Sequence, residues 1–352
     1  MPDALMIYGA TGYTGKLLAR SAADHGLRPI LAGRDAAKLR AVAEPLGLGR
    51  RVLSVDDVRR DTDALRGVGV LLNAAGPFST TARPLVDACL RACVHYLDVA
   101  GELAVFEEIE RLDAPARERG VMLMPGAGFV VVVSDCLAAH VAARLPGADR
   151  LRIGTSSSSF LSRGSAKTMI ELVGGTASVR RDGVLTSVPV GAVEHAFDYG
   201  DGPSCSVAMS MAELVTAFRT TGIGNIEAHV EVNRVERAAF QLAARSAWLV
   251  RNPFSQIALQ TAVELMPDGP SDEIRGRAAR AVVVEAEDRT GRTTWARAVT
   301  PEAYRFTATT ALTIAARVLR GDLRPGFETP ARAYGADFLL GLAGVRRDDA
   351  PG

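Results

Sequence analysis

The feature that most restricts the fold lies in the first fifteen residues. A five-residue apolar run, Ala4-Leu-Met-Ile-Tyr8, leads straight into Gly9-Ala-Thr-Gly-Tyr-Thr-Gly15, and a helical period follows over residues 14–25. A compact apolar run closed by glycines reads as a short strand buried on both faces. The same alternation then repeats, with strands expected near 28–32, 51–55, 68–73, 94–98 and 121–124 and helices near 35–46, 57–66 and 79–92. Strands that alternate with helices at this spacing pair in parallel through helical crossovers. Residues 1–148 are therefore expected to form a doubly wound α/β domain with a parallel sheet of the Rossmann type.

After about residue 148 the rhythm changes. Residues 151–157 read as a strand and 165–173 as a helix, and 179–185 read as a hairpin about Asp182-Gly183, a pair that favours a tight two-residue turn. A second hairpin is expected where 281–287 and 293–299 flank residues 288–291. Mixed elements of this kind predict a second, α+β domain over 149–300, built on an open mixed or antiparallel sheet and expected to hold substrate and any homodimer contact. A helix over 302–319 then opens a glycine-punctuated segment, 301–352. At 352 residues the chain exceeds the ~250 at which single cores stop growing, which also favours two domains.

Apolar residues make up 48% of the chain and the net charge is +1, which excludes disordered and nucleic-acid-coating classes. Cys89, Cys93, Cys136 and Cys205 form no Cys-x-x-Cys pair, and Cys89 and Cys93, one helical turn apart, have no histidine at ligand spacing, so the four are read as small buried hydrophobes and no metal site is expected. The chain begins Met1-Pro2-Asp3 without a basic and apolar leader. The uncharged stretch 120–134 is shorter than the ~20 residues of a membrane span. A cytoplasmic protein without stable membrane insertion is expected.

Glycines spaced G-x-x-G-x-x-G between a strand and a helix allow a tight turn, close approach of backbone N–H groups to a pyrophosphate, and close packing of helix on strand. Gly9, Thr11, Gly12, Tyr13, Thr14 and Gly15 are accordingly assigned to a dinucleotide. The second strand ends in Gly33-Arg34-Asp35. An acid there holds the ribose hydroxyls of NAD, whereas an arginine pairs with a 2′-phosphate, so Arg34 with Lys38 favours NADP, and Asp35 is read as a helix cap. The small residues Asn73, Ala74, Gly76, Pro77 and Phe78 at the end of the fourth strand leave room for the nicotinamide half.

These motifs, with Ala88-Cys-Leu90, His95-Tyr-Leu-Asp-Val-Ala-Gly-Glu102, Gly326-Phe327 and Ala333-Tyr-Gly-Ala-Asp337, resemble the saccharopine dehydrogenase-like reductases, in the branch of the trans-acting enoyl reductases. The resemblance implies an NADP-dependent reductase whose second domain carries the substrate and whose C-terminal segment returns to the first. In that family the glycine-phenylalanine pair of Pro125-Gly-Ala-Gly-Phe129 is followed by an Asp and, three residues later, a Pro. Here Val130 and Val133 stand in those places, ahead of Ser134-Asp135, where a helix is expected to open. Phe129, Val130 and Val133 are thus candidates for an apolar wall of the substrate pocket.

Hydride chemistry requires the protein to hold substrate and supply a proton. Asp98 and Glu102, after the fifth strand, could contact the nicotinamide ribose or relay a proton; equally, Asp98 could cap a helix and Glu102 be solvated. Lys167 could bind an anion or donate a proton, and Tyr199 could act as a phenolic acid. His195 is read as facing neighbouring strands. The expected activity is NADPH-dependent reduction of a C=C bond in an acyl or polyketide-like, apolar small molecule. Reduction of an imine is the alternative within the same class, and an inactive NADP-binding scaffold or sensor the alternative outside it.

Overall fold

The computed structural model describes residues 4–157, 176–245 and 279–351. The chain divides into two compact units, Met1–Val132 with Ala303–Ala333 and Val133–Glu302 with Tyr334–Gly352.

The first unit is built on β1 (Ala4–Tyr8), β2 (Ile30–Gly33), β3 (Arg50–Val52), β4 (Val68–Asn73), β5 (His95–Asp98), β6 (Met122–Met124) and a two-residue strand, Gly326–Phe327. All seven are parallel, and across the sheet they run Gly326–Phe327, β6, β5, β4, β1, β2, β3. Every residue of β4 and four of five in β1 are buried, as a parallel sheet covered on both faces demands. The crossover helices are α1 (Tyr13–Asp24), α2 (Ala36–Leu46), α3 (Val55–Arg60), α4 (Phe78–Ala92), α5 (Leu103–Glu110) and α6 (Asp113–Glu118). The helix expected over 57–66 is split, because the Asp61 carboxylate accepts from the Asp63 amide and starts a separate 3-10 turn, Thr62–Leu65. The helix Ala303–Leu319 packs on α1 and on β1, β4 and β5.

Strand order reverses between β1 and β4, which opens the crevice where nucleotides bind in sheets of this kind. The register aligns the strand ends there: Tyr8 pairs with Ala32 on one side and Asn73 on the other, and Asn73 pairs with Asp98.

The division between units falls inside α7 (Phe129–Arg144), not near residue 148. The helix opens five residues before Ser134-Asp135, so the valine run forms its first turns, and Ser134 and Asp135 lie fully buried within it. The second unit holds β7 (Ala148–Thr155), β8 (Thr176–Arg181), β9 (Val184–Pro189), β10 (Glu194–Asp198), β11 (Pro203–Ala208), β12 (Asn225–Glu231), β13 (Arg280–Asp288) and β14 (Thr293–Thr300). They form a mixed sheet in the order β10, β11, β12, β7, β13, β14, with only β12 and β7 parallel. Both hairpins read from the sequence are present, and Asp182 and Gly183 take the left-handed φ values, 47° and 80°, that a type I′ turn needs. α8 (Glu213–Thr221) lies against β12, and α9 (Arg234–Arg245) follows that strand. The C-terminal segment is shared: 303–333 join the first unit, while Arg346–Asp349 adds a strand beyond β14, where Arg297 pairs with Asp348 at 2.9 Å.

Candidate active site

The turn after β1 is held by its own backbone. The Gly9 amide donates to the Ala32 carbonyl at 2.9 Å and the Gly12 amide to the Gly9 carbonyl at 3.0 Å. Gly9 has φ +80°, and a Cβ on it would lie 2.7 Å from Ala75 in the loop after β4. Only glycine meets both conditions. A Cβ on Gly15 would lie 2.2 Å from the Gly9 carbonyl oxygen, so α1 can approach the turn this closely only without a side chain there. Gly12 is the N-cap of α1 and offers no side-chain cap. The first-turn amides of Tyr13, Thr14 and Gly15 thus make this helix end a candidate anion site. The Tyr13 ring packs edge-on against Tyr304 at 5.0 Å.

At the end of β2, a Cβ on Gly33 would lie 4.0 Å from the Thr11 hydroxyl, and Arg34 is exposed with no acidic partner among the described residues. Asp35 is committed elsewhere: it caps α2 by accepting from the Lys38 amide at 2.9 Å, and its carboxylate is 3.6 Å from the Lys38 ammonium. An exposed guanidinium beside a carboxylate already in use fits a 2′-phosphorylated nucleotide better than a free 2′-hydroxyl.

The loops after β4, β5 and β6 meet in a buried polar cluster. Asn73 Nδ2 donates to the Tyr96 hydroxyl and to Thr81 Oγ1, each at 3.2 Å, while Asn73 Oδ1 accepts from the Ala75 amide at 2.9 Å. The Tyr96 hydroxyl donates to Asp98 Oδ2 at 2.9 Å. Asp98 Oδ1 accepts from the Gly126 and Ala100 amides at 2.8 and 2.9 Å, and its carbonyl accepts from Ala127 at 2.7 Å. Asp98 is fully buried, and burial raises its carboxyl to about 7. It caps no helix. Glu102 occupies the N-cap position of α5, largely buried rather than solvated, and accepts from the Gly101 amide at 2.9 Å. Ala74, Pro77 and Phe78 are half-buried, Gly76 is exposed, and the Gly76–Pro77 peptide is cis.

The segment after β6 is clamped from the far side by the 303–319 helix. Thr310 Oγ1 donates to the Ala127 carbonyl at 2.8 Å, and the Phe129 amide donates to Thr307 Oγ1 at 3.1 Å. The Phe129 ring is buried edge-on against Phe306, and Val133 is fully buried. Of the three expected pocket-wall residues, only Val130 keeps appreciable exposed surface.

In the second unit Tyr199 donates to or accepts from Ser206 at 2.8 Å, and burial pushes its phenol up, away from the range suited to proton donation at neutral pH. Lys167, and the helix expected over 165–173, lie outside the described residues. His195 does face neighbouring strands: its Nε2 is 2.8 Å from Glu285, and its ring stacks edge-on with Phe197 at 4.6 Å. Fully buried His229 meets Glu227 at 3.2 Å in the same row. The period-two spacing of His195, Phe197 and Tyr199 could have signalled this shared sheet face. A surface depression of 440 Å³ at the β13–β14 turn is lined by charges that already pair, Arg289 with Asp149 and Arg150 with Glu287, and is no better candidate.

Cys89 and Cys136 are buried as expected, whereas Cys205 is half-buried and Cys93, which ends α4 with φ 55°, is exposed. Among the described residues no His, Cys, Asp and Glu group could hold a metal, and no helix is long and apolar enough to cross a membrane.

The family model of the saccharopine dehydrogenase NADP binding domain matches residues 5–124, all within the first unit. A trans-acting enoyl reductase of Mycobacterium ulcerans is 32% identical over 145 residues, 39% of this chain and 35% of that protein. The trans-acting enoyl reductase of Mycobacterium bovis is 32% identical over 139 residues, 37% of this chain and 33% of that protein. The chain thus spans about a third of the length of the curated relatives it matches. Apo saccharopine dehydrogenase (L-Glu forming) of Saccharomyces cerevisiae shares the fold, with a TM-score of 0.67 and 11% identity over 99% of this chain and 100% of that one. The stretch matched by the saccharopine dehydrogenase NADP binding domain model, residues 5–124, contains the turn after β1 and Arg34 beyond β2, the candidate residues for an NADP site.

Proposed function

We propose that the protein is an NADPH-dependent oxidoreductase that reduces the C=C bond of an acyl or polyketide-like small molecule. The observation that carries the reading is the pairing of a glycine turn, with room for a pyrophosphate at the α1 N-terminus, with an exposed Arg34 beyond β2 that has no acidic partner among the described residues. When bound, NADPH supplies a hydride. The chain's part is to hold the phosphates on the first-turn amides of α1, to neutralise the 2′-phosphate with Arg34, and to present the loops after β4, β5 and β6 to the reacting half. The choice of a C=C bond rests on the similarity to trans-acting enoyl reductases, which extends over 37–39% of this chain. Half-buried Val130, where the family carries an acid, supports an apolar substrate. A cytoplasmic homodimer belongs to the same reading.

Purified protein with NADPH and a panel of enones, enoyl thioesters and cyclic imines tests it. Oxidation of NADPH with an enone or enoyl thioester supports the proposal; oxidation only with an imine transfers the activity to C=N bonds, and tight binding without turnover leaves a scaffold. Arg34→Ala is expected to weaken NADPH by ~10- to 100-fold, the loss of one charge-assisted contact of about 1.5–3 kcal/mol, and NADH hardly at all. Equal losses for both nucleotides would remove Arg34 from the 2′-phosphate.

A further inference from the structure

The polar cluster beneath the crevice has a direction that follows from its donors and acceptors. The Ala75 amide can only donate, so the Asn73 atom that meets it is the oxygen, and the amide nitrogen is turned toward Tyr96 and Thr81. Thr81 spends its own proton on the Ala75 carbonyl at 2.6 Å and therefore accepts from Asn73. The Tyr96 oxygen likewise accepts from Asn73, and its proton goes to Asp98. Asp98 in turn receives three donors, from Tyr96, Ala100 and Gly126. Donation runs one way, Asn73 to Tyr96 to Asp98, and every link lies in the first unit.

We propose that Tyr96 is a positioning residue for the nicotinamide half of NADPH, its hydroxyl joining the loops after β4, β5 and β6 into one rigid rim of the crevice. This rests on the reading of that crevice as an NADPH site. The three loops are covalently distant, and no side chain other than Tyr96 bridges Asn73 to Asp98 in the bonds described above. Gly126 and Ala127 hang from Asp98 by two backbone bonds, so whatever fixes Asp98 fixes the approach to Phe129 and Val130.

The direction makes the rim sensitive to pH. A protonated Asp98 would donate to the Tyr96 oxygen, which already receives Asn73, and the phenolic proton would lose its acceptor. Burial places the Asp98 carboxyl at about 7, with the Glu102 carboxylate adding to the rise. Tyr96 faces Asp98 and the buried thiol of Cys89, and burial keeps both the phenol and that thiol neutral. The ionised form, which the network requires, is thus lost as pH falls through about 7.

The test compares wild type and Tyr96→Phe for binding of NADPH and of adenosine 2′,5′-bisphosphate, which carries the adenine end without nicotinamide, by titration calorimetry at pH 6 and pH 8. The 2′-phosphate is common to both ligands, so the ratio of their affinities isolates the nicotinamide half. Tyr96→Phe is expected to weaken NADPH roughly tenfold, the loss of one hydrogen bond's worth of positioning, and to leave the bisphosphate unchanged. In the wild type the ratio should favour NADPH more at pH 8 than at pH 6, and in Tyr96→Phe that difference should shrink. Should Tyr96→Phe fail to fold, Asp98→Asn carries the same expectation, since its amide meets Tyr96 with a donor at every pH. Equal weakening of both ligands, or of neither, overturns the proposal. Wild-type protein that binds neither ligand removes the cofactor reading itself, and the proposal with it.

Discussion

Gly15→Ala tests whether the closeness of α1 to the β1 turn is a requirement of the site. The added Cβ would lie 2.2 Å from the Gly9 carbonyl oxygen, 2.7 Å from Ala10 Cα and 2.9 Å from the Gly9 carbonyl carbon. An ordinary carbon-to-oxygen approach is about 3.3–3.6 Å, so α1 must retreat by roughly 1 Å, because every obstructing atom is backbone. Overpacking of this sort costs about 1–3 kcal/mol, and a rigid obstacle puts it at the upper end. Alanine's better helix propensity offsets up to ~1 kcal/mol, leaving ~2 kcal/mol. At ~2–4 °C per kcal/mol for a unit of this size, the melting temperature should fall by ~4–8 °C. The same retreat would stretch an amide-to-phosphate bond from ~2.9 Å to beyond hydrogen-bonding range, so NADPH should bind at least ~10-fold more weakly. Scanning calorimetry and NADPH fluorescence titration read the two effects. Gly26→Ala is the control: with φ +74° and nothing within 4 Å of the new Cβ, it should cost about 1–2 kcal/mol of backbone strain and leave NADPH affinity intact. A Gly15→Ala protein that melts with the wild type and binds NADPH equally well would refute the steric argument.

Two further outcomes follow from the same geometry. Asp35→Ala should lower the melting temperature by a few degrees through the lost α2 cap, yet leave the preference for NADPH over NADH unchanged; a changed preference would put Asp35 on the ribose after all. Glu213, fully buried on α8, has its carboxyl raised to about 7 by burial, with Asp135 adding to the rise. Its folded value therefore lies above the 4.5 of an unfolded chain, and the stability present below 4.5 is lost as pH climbs to about 7. Glu213→Gln cannot ionise, so its melting temperature should gain on the wild type between pH 5 and pH 8. Asp98 shifts in the same sense and leaves a residual slope. A constant difference across that range would contradict the buried-carboxyl account.

The chain's sequence by itself determined the parallel sheet, the glycine turn, the arginine after β2 and both hairpins, because each is written in neighbouring residues: apolar period, turn chemistry and residue type at a strand end. It also showed Asp98 to stand near the crevice, without saying what the carboxylate would meet. Tertiary structure alone decided that. Asp98 turns inward to Tyr96, Ala100 and Gly126 because the register of β4 on β5 sets Asn73 beside it. The valine run shows the same limit. Its residues read as the approach to a helix because Ser134-Asp135 look like a cap, but the bonds that Ala127 and Phe129 make to Thr310 and Thr307, some 180 residues away in sequence, go with a helix that already starts at Phe129 and buries Ser134 and Asp135. Local signals are set by neighbours in the chain, whereas burial and partnership are set by residues that only folding brings within 3 Å.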